Sequence, residues 1–242
     1  TGDELVPTEQ TPPPGKIRFD STAAPDVGQG PTLQEHIAAI LRDNPSDIAS
    51  YTRSFPDHWF EAGARWLAKG DWAPAPRDIA PTLGAHAGIM AVLTAVSSPG
   101  DKVVFEHLTY SQVSRAAGLT GRRTVLVDSD EQGVIPADFE RVCAQQHPKV
   151  AFLMSSSQNP TLATLPLERR QAIADIARRH SVWLIEDDLY GAMAGEPLAP
   201  LAQLCPERTF FVGSLSKSVA AGVRGGWVAC PPHFAQRVRI AH

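Results

Sequence analysis

Short apolar runs alternate with longer stretches of helical periodicity along this chain. Ile79-Ala80-Pro81-Thr82, Val103-Val104-Phe105, Ala151-Phe152-Leu153-Met154, Val182-Trp183-Leu184-Ile185 and Thr209-Phe210-Phe211-Val212-Gly213 are short and largely apolar. Such runs predict strands covered on both faces. Between them, helices are expected. Thr32-Leu33-Gln34-Glu35 matches a capping box, with Leu33, Ile37, Ile40 and Leu41 forming one apolar stripe. Asp57 to Lys69 predicts a second helix ending near Gly70, and Ala85 to Val96 a third, stopped by Ser97-Ser98-Pro99-Gly100. Pro136 to Gln145 and Pro166 to His180 continue the alternation, and Gly226-Trp227-Val228-Ala229 adds a late strand. The pattern predicts an α/β fold: a three-layer α/β/α arrangement around a mostly parallel sheet with right-handed crossovers. Residues 1–16, ending in Pro12-Pro13-Pro14-Gly15, read as a stiff linker, leaving 17–242 as the folded domain.

The chemistry sits at the ends of the apolar runs. Ligands of open α/β sheets bind beyond the carboxyl ends of the strands. Here those ends carry Leu83-Gly84-Ala85-His86 opening a helix, then Glu106 and Tyr110, Ser157-Gln158-Asn159-Pro160-Thr161, Glu186-Asp187-Asp188-Leu189-Tyr190, and Ser214-Leu215-Ser216-Lys217. Arg224 and Gly225-Gly226 follow. A lysine between hydroxyls, with an arginine nearby, suits a cofactor bearing an aldehyde and a phosphate. The amine forms an imine, while hydroxyls and guanidinium hold the dianion.

As a set, Gly84-Ala85-His86, Tyr110, Asn159-Pro160-Thr161, Asp187 to Tyr190 and Ser214 to Lys217 with Arg224 resemble the large domain of the aspartate aminotransferase superfamily. These are the fold-type I enzymes that use pyridoxal 5′-phosphate. The closest likeness is to the aminotransferase-like domain of MocR-type regulators in the GntR group, over roughly residues 17–242. The resemblance implies that Lys217 forms an internal aldimine, gives way to an external aldimine with an amino compound, and shuttles the α-proton. It also implies that Asp187 pairs with the pyridine N–H, that Asn159 and Tyr190 bond the phenolic oxygen, and that Tyr110 stacks on the ring. Gly84, Ala85 and His86 would offer backbone N–H groups to the phosphate at a helix N-terminus, with Ser214, Ser216 and Arg224 completing the cup. Tyr51 falls where the family places a tyrosine reaching the neighbouring subunit's phosphate, which implies a homodimer.

Two departures from the family pattern are visible. Leu162 follows Asn159-Pro160-Thr161 where glycine is common, and Ala220-Ala221 precede Gly222 where proline is often found. Only one carboxylate can meet the ring nitrogen, so Glu186 and Asp188 are expected to face solvent or cap a helix. Arg169, Arg170, Arg178 and Arg179 are expected on the solvated face of their helix.

Composition narrows the alternatives. The 242 residues are 43% hydrophobic and 20% charged, enough for a substantial core, and the net charge of −4 gives no footprint for nucleic acid on this segment. Three widely spaced cysteines, Cys143, Cys205 and Cys230, lack metal-ligand spacing and suggest a reducing compartment. No membrane segment, metal site or signal peptide is expected, and the cytoplasm is the default. Ser214-Leu215-Ser216-Lys217 also fits the S-x-x-K signature of penicillin-binding proteins, but no S-D-N or K-T-G string accompanies it. No H-E-x-x-H or G-x-G-x-x-G string supports a zinc hydrolase or a dinucleotide-binding domain. The resemblance implies a further, smaller domain beyond His242 carrying the substrate-carboxylate arginine, and a winged helix-turn-helix before the linker. Two functions stay open. One is the effector-sensing part of a regulator, which the proline-rich start favours. The other is a stand-alone aminotransferase converting a 2-amino acid to a 2-keto acid.

Overall fold

A computed structural model describes residues 15, 22–48, 51, 55–190 and 198–242. The linker expected over residues 1–16 lies outside them, Gly15 apart. Two helices come first, α1 (Gly30–Asp43) and α2 (Asp57–Leu67). Strand and helix then alternate through β1 (Ile79–Thr82), α3 (Ala85–Val96), β2 (Lys102–Glu106), α4 (Ser111–Leu119) and β3 (Arg123–Val127). A small hairpin, β4 (Ser129–Asp130) and β5 (Gly133–Val134), leads to α5 (Pro136–Gln146), β6 (Val150–Leu153), α6 (Leu167–His180) and β7 (Trp183–Asp187). The chain continues with α7 (Leu201–Leu204), β8 (Thr209–Ser214), β9 (Gly226–Ala229) and α8 (Ala235–Ala241).

The main sheet has the order β1-β9-β8-β7-β6-β2-β3. Strands β8, β7, β6, β2 and β3 pair in parallel, while β9 runs antiparallel to both of its neighbours. Strand β1 therefore points the same way as β8. The carboxyl ends of β1, β2, β6, β7 and β8 share one rim with the amino end of β9.

Period-2 alternation divides the strand residues between two cores. Val103, Phe105, Phe152, Ile185, Phe210, Val212 and Val228 face α3, α4 and α8. Val104, Ala151, Leu153 and Leu184 face α5 and α6, while Phe211 and Ala229 pack with Ala64 and Leu67 of α2 on that same side. The three-layer expectation holds. Gly213 shows how closely the α2 layer fits, since a Cβ there would lie 2.4 Å from Leu67 Cδ2.

Several local expectations need correction. Helix α1 begins at Gly30, with Gln29 at its N-cap and no side-chain cap bond. Proline lacks an N–H and suits the first turn, so Pro31 draws the start forward and places Thr32 inside the helix rather than at its cap. The stripe of that helix does not enter the core: Ile37, Ile40 and Leu41 stay exposed. Helix α2 stops at Leu67, and Lys69 instead exchanges two 2.8 Å backbone hydrogen bonds with Trp72 around a left-handed Gly70.

The largest departure concerns Arg170. Arg178 and Arg179 remain on the solvated side of α6, and Arg169 is largely covered while reaching Asp130 at 2.7 Å. Arg170 is only 1% exposed. It precedes Ile173 by three residues and Ala174 by four, so helical spacing places it on the buried stripe. Its guanidinium donates to Leu165 O (2.8 Å), Ser155 O (2.9 Å), Ser156 Oγ (3.0 Å) and Ala199 O (3.2 Å), and lies 4.0 Å from Glu186. Removing one partner of a buried, hydrogen-bonded ion pair costs about 3–5 kcal/mol, against at most about 1 kcal/mol for an exposed pair. Chemical denaturation is expected to show that loss for Arg170→Ala and to leave Arg179→Ala within about 1 kcal/mol of the parent.

Candidate functional site

The shared rim is built by close backbone approach. Gly226 opens β9 between two other elements, and a Cβ on it would lie 2.8 Å from Gly213 O and 3.0 Å from Gly84 C. Only glycine lets β9 lie flat against β8 while the loop before α3 crosses it. Gly84 itself has φ +87, which suits glycine, and serves as the N-cap of α3 with no side-chain cap. The first N–H groups of α3 are left free to meet an anion. Thr82 Oγ1 holds this turn by donating to Gly84 O at 3.1 Å.

Facing that turn are Ser214 and Ser216, whose hydroxyls bond each other at 3.0 Å, while Ser216 N donates to Ser214 Oγ at 3.0 Å. Arg224 sits in the left-handed region with φ 55. Its charge and burial together hold the His86 imidazole below the usual histidine range, burial being the larger cause. His86 Nδ1 is buried without a hydrogen-bond partner among the described residues. One cationic side chain, two hydroxyls and a helix start thus converge.

Three successive acids at the end of β7 have three different surroundings. Glu186 points to the α5/α6 side and is fully buried. It accepts from Ser155 Oγ (2.5 Å), Leu201 N (3.0 Å) and Ala202 N (3.0 Å), so it caps α7. Capping was one expectation for it; exposure to solvent is not what the fold shows. Asp188 is also covered, its carboxylate 5% exposed and 3.1 Å from Lys69 Nζ, so it is not solvent-facing either. Asp187 points to the opposite side from Glu186, as strand alternation requires. It is 1% exposed, and both carboxylate oxygens lack a hydrogen-bond partner among the described residues. Burial, reinforced by Asp188 and partly offset by the charge of Lys217, pushes it up to about 7.

Around Asp187 the expected residues gather. Tyr110 and Tyr190 pack against the core on this side. Burial raises the Tyr110 phenol, with Asp187 and Tyr190 adding to the effect and Arg224 opposing it. Lys217 Nζ donates to Thr22 Oγ1 at 2.6 Å. Asn159, Tyr190 and Thr22, with Ser157, Gln158, Pro160 and Leu162, line a cavity of about 410 Å³. Tyr51 is 92% exposed.

Sequence reasoning passed over Gln158 and Thr22. Gln158 is 1% exposed and uses its whole amide: Nε2 donates to Leu108 O (2.6 Å) and Glu106 Oε2 (3.2 Å), while Oε1 accepts from Thr161 N (2.8 Å) and Thr161 Oγ1 (2.7 Å). It ties the Asn159 loop to the segment leading to Tyr110. Burial pushes its partner Glu106 up to about 7, outweighing the Gln158 amide. The only sequence signal was a polar residue directly before Asn159-Pro160. Thr22 gave none, because its contact spans 195 positions. Leu162 adopts the left-handed backbone that glycine would favour, at φ 62.

The family model for aminotransferase class I and II matches residues 15–242. An uncharacterized HTH-type transcriptional regulator, YdeF of Bacillus subtilis, is 26% identical over 96% of this chain and 51% of its own length. The L-tyrosine:2-oxoglutarate aminotransferase amt1 of Serpula lacrymans is 29% identical over 69% of this chain and 37% of its own. Among solved structures, the α-aminoadipate aminotransferase LysN of Thermus thermophilus, complexed with N-(5′-phosphopyridoxyl)-L-leucine, superposes with a TM-score of 0.81. It is 24% identical, covering 90% of this chain and 57% of that one, and shares the fold. The chain spans about half the length of YdeF. Among the described residues, no helix is long and apolar enough to cross a membrane.

The raised Asp187 has a measurable consequence in the cofactor-free protein. Its folded value lies above its unfolded one, so its contribution is complete below about pH 4 and is lost as pH rises through about 7. Relative to Asp187→Asn, the parent is expected to lose on the order of a few kcal/mol between pH 4 and pH 8. Urea unfolding of both proteins across that range checks it; a constant difference would mean that Asp187 ionises freely.

Proposed function

This chain belongs to the aminotransferase class I and II family, and we propose that it holds pyridoxal 5′-phosphate at the strand rim as the effector-sensing part of a MocR-type regulator. The observation that carries the cofactor reading is Asp187, a buried carboxylate with two unpartnered oxygens on the same side as Tyr110 and Lys217. A pyridinium N–H would satisfy it and, by charge pairing, lower its value again. The residues present therefore fit the group that the family implies.

Bound there, the cofactor supplies an electrophilic carbonyl carbon and a protonated ring that withdraws electrons. The chain's own residues do the rest. Asp187 keeps the ring nitrogen protonated. Lys217 would present its primary amine to the carbonyl carbon and would serve as the base that moves the proton at the α-carbon of the amino compound. Asn159 and Tyr190 hold the phenolic oxygen, and Tyr110 covers one ring face and excludes water. The N–H groups of Gly84, Ala85 and His86, the paired hydroxyls of Ser214 and Ser216, and Arg224 neutralise the phosphate. Tyr51, exposed on its own subunit, would reach the phosphate of a second copy in a homodimer.

The sensing role is supported by the extent of the match to YdeF, which runs over nearly the whole chain, and an amino compound is the expected effector. Turnover as an aminotransferase is the second reading. It is supported by Lys217 and Asp187 at the same strand rim, an amine and an acid of the kind such a reaction would use. Both readings use the same residues, because binding an amine through the cofactor is enough to signal.

Borohydride reduction of the cofactor-loaded protein, followed by peptide mass spectrometry, is expected to find a phosphopyridoxyl group on Lys217 and none in Lys217→Ala. A label elsewhere would refute the assignment. Arg224→Ala is expected to weaken cofactor binding about 10- to 150-fold, corresponding to about 1.5–3 kcal/mol for a charge-assisted hydrogen bond. For the full-length gene product, cofactor and amine together should alter retention on its own promoter DNA. Rapid keto-acid release with no DNA retention would instead select the enzyme.

A further inference from the structure

The cavity near Lys217 shares Asn159 and Tyr190 with the cofactor reading, but Thr22, Ser157, Gln158, Pro160 and Leu162 have no part in it. Its lining residues are Thr22, Ser157 to Pro160, Leu162 and Tyr190, and none of them carries a charge. None belongs to the phosphate cradle of Gly84 to His86, Ser214, Ser216 and Arg224. Thr22 links the cavity to the reactive amine, since its hydroxyl accepts from Lys217 Nζ at 2.6 Å. A volume of about 410 Å³ lies in the range of small-molecule sites.

Leu162 is the distinctive wall. It is 77% exposed, so it gains little from burial, and held at φ 62, a left-handed backbone that is unfavourable for a non-glycine residue. The conformation is imposed locally: Leu162 N donates to Gln158 O at 2.7 Å, and Gln158 is itself fixed by its bonds to Leu108 and Thr161. Glycine would adopt this turn freely. An apolar side chain kept in a strained position at a cavity wall points to a ligand that covers it.

Resting on the cofactor reading above, we propose that this cavity receives the side chain of the amino compound, that this side chain is uncharged and apolar, and that Leu162 is a specificity-determining residue. With the Lys217 amine engaged by the cofactor, a side-chain carboxylate or ammonium entering here would lose its hydration and meet no opposite charge among the described lining residues. An aliphatic or aromatic group would cover Leu162 and Pro160 instead. Removing a few carbons from an apolar pocket changes discrimination by about 10- to 200-fold per methylene at the upper limit, so a partly exposed wall should contribute about tenfold.

The test uses the cofactor-loaded full-length gene product and its Leu162→Gly variant, titrated with L-leucine, L-phenylalanine, L-glutamate and L-lysine while the cofactor absorbance is followed. Glycine relieves the backbone, so the variant is expected to melt no lower than the parent. The parent should bind leucine and phenylalanine about tenfold or more tighter than glutamate and lysine. The variant should lose about tenfold for the apolar pair and keep its affinity for the charged pair. A preference for glutamate or lysine, an unchanged ratio in the variant, or no saturable binding of any of the four would overturn the proposal. Borohydride labelling of Lys217 in both proteins separates the two levels. A normal label with the wrong preference sinks this inference alone, whereas a missing label sinks the cofactor reading and this inference with it.

Discussion

A carboxylate buried without a hydrogen-bond partner among the described residues is the constraint around which the rest of this structure makes sense. Burying an ionised acid in that way is unfavourable by several kcal/mol, so Asp187 stays protonated to near neutrality until something supplies a positive donor. Its two neighbours in sequence are better provided for. Glu186, one residue earlier and equally buried, accepts three hydrogen bonds and caps a helix. Asp188, one residue later, pairs with Lys69. Three adjacent acids are thus sorted into a structural cap, a waiting partner for a cation, and an ion pair, by strand alternation and by what lies on each side.

The rim that surrounds Asp187 depends on backbone proximity more than on side-chain reach. Strand β9 is the antiparallel member of the sheet, and its orientation brings Arg224 to the same edge as the carboxyl ends of β1, β2, β6, β7 and β8. Gly226 allows the approach, because any side chain there would push the Gly84 turn off the sheet. Gln158 does a similar job on the far side, joining the Asn159 loop to the strand that leads to Tyr110. A site assembled in this way is held partly by groups to which no bond with the cofactor is assigned. Changes at Gly226 or Gln158 would alter it without removing any group that bonds the cofactor.

Much of this was legible in one dimension. Apolar runs ending in chemically distinctive residues marked both the strands and the rim, since parallel strands deliver their carboxyl ends to one place. Arg170 was also legible in principle, through its spacing from Ile173 and Ala174, although its charge suggested solvent. The stripe of α1 misled in the opposite direction: its periodicity is real, yet Ile37, Ile40 and Leu41 find no core in this chain. Periodicity reports which face of a helix is apolar; it does not report what covers that face.

The linear chain by itself determined the α/β alternation and the family, and it singled out the candidate lysine, acid and anion-holding residues, because these follow from local pattern and from motifs a few residues long. Only the tertiary structure decided which of three neighbouring acids is left unpartnered, that Thr22 meets Lys217, and that Leu162 walls an uncharged cavity in a left-handed turn. The physical reason is that burial and hydrogen-bond satisfaction belong to pairs of segments far apart along the chain. No window of sequence contains both partners.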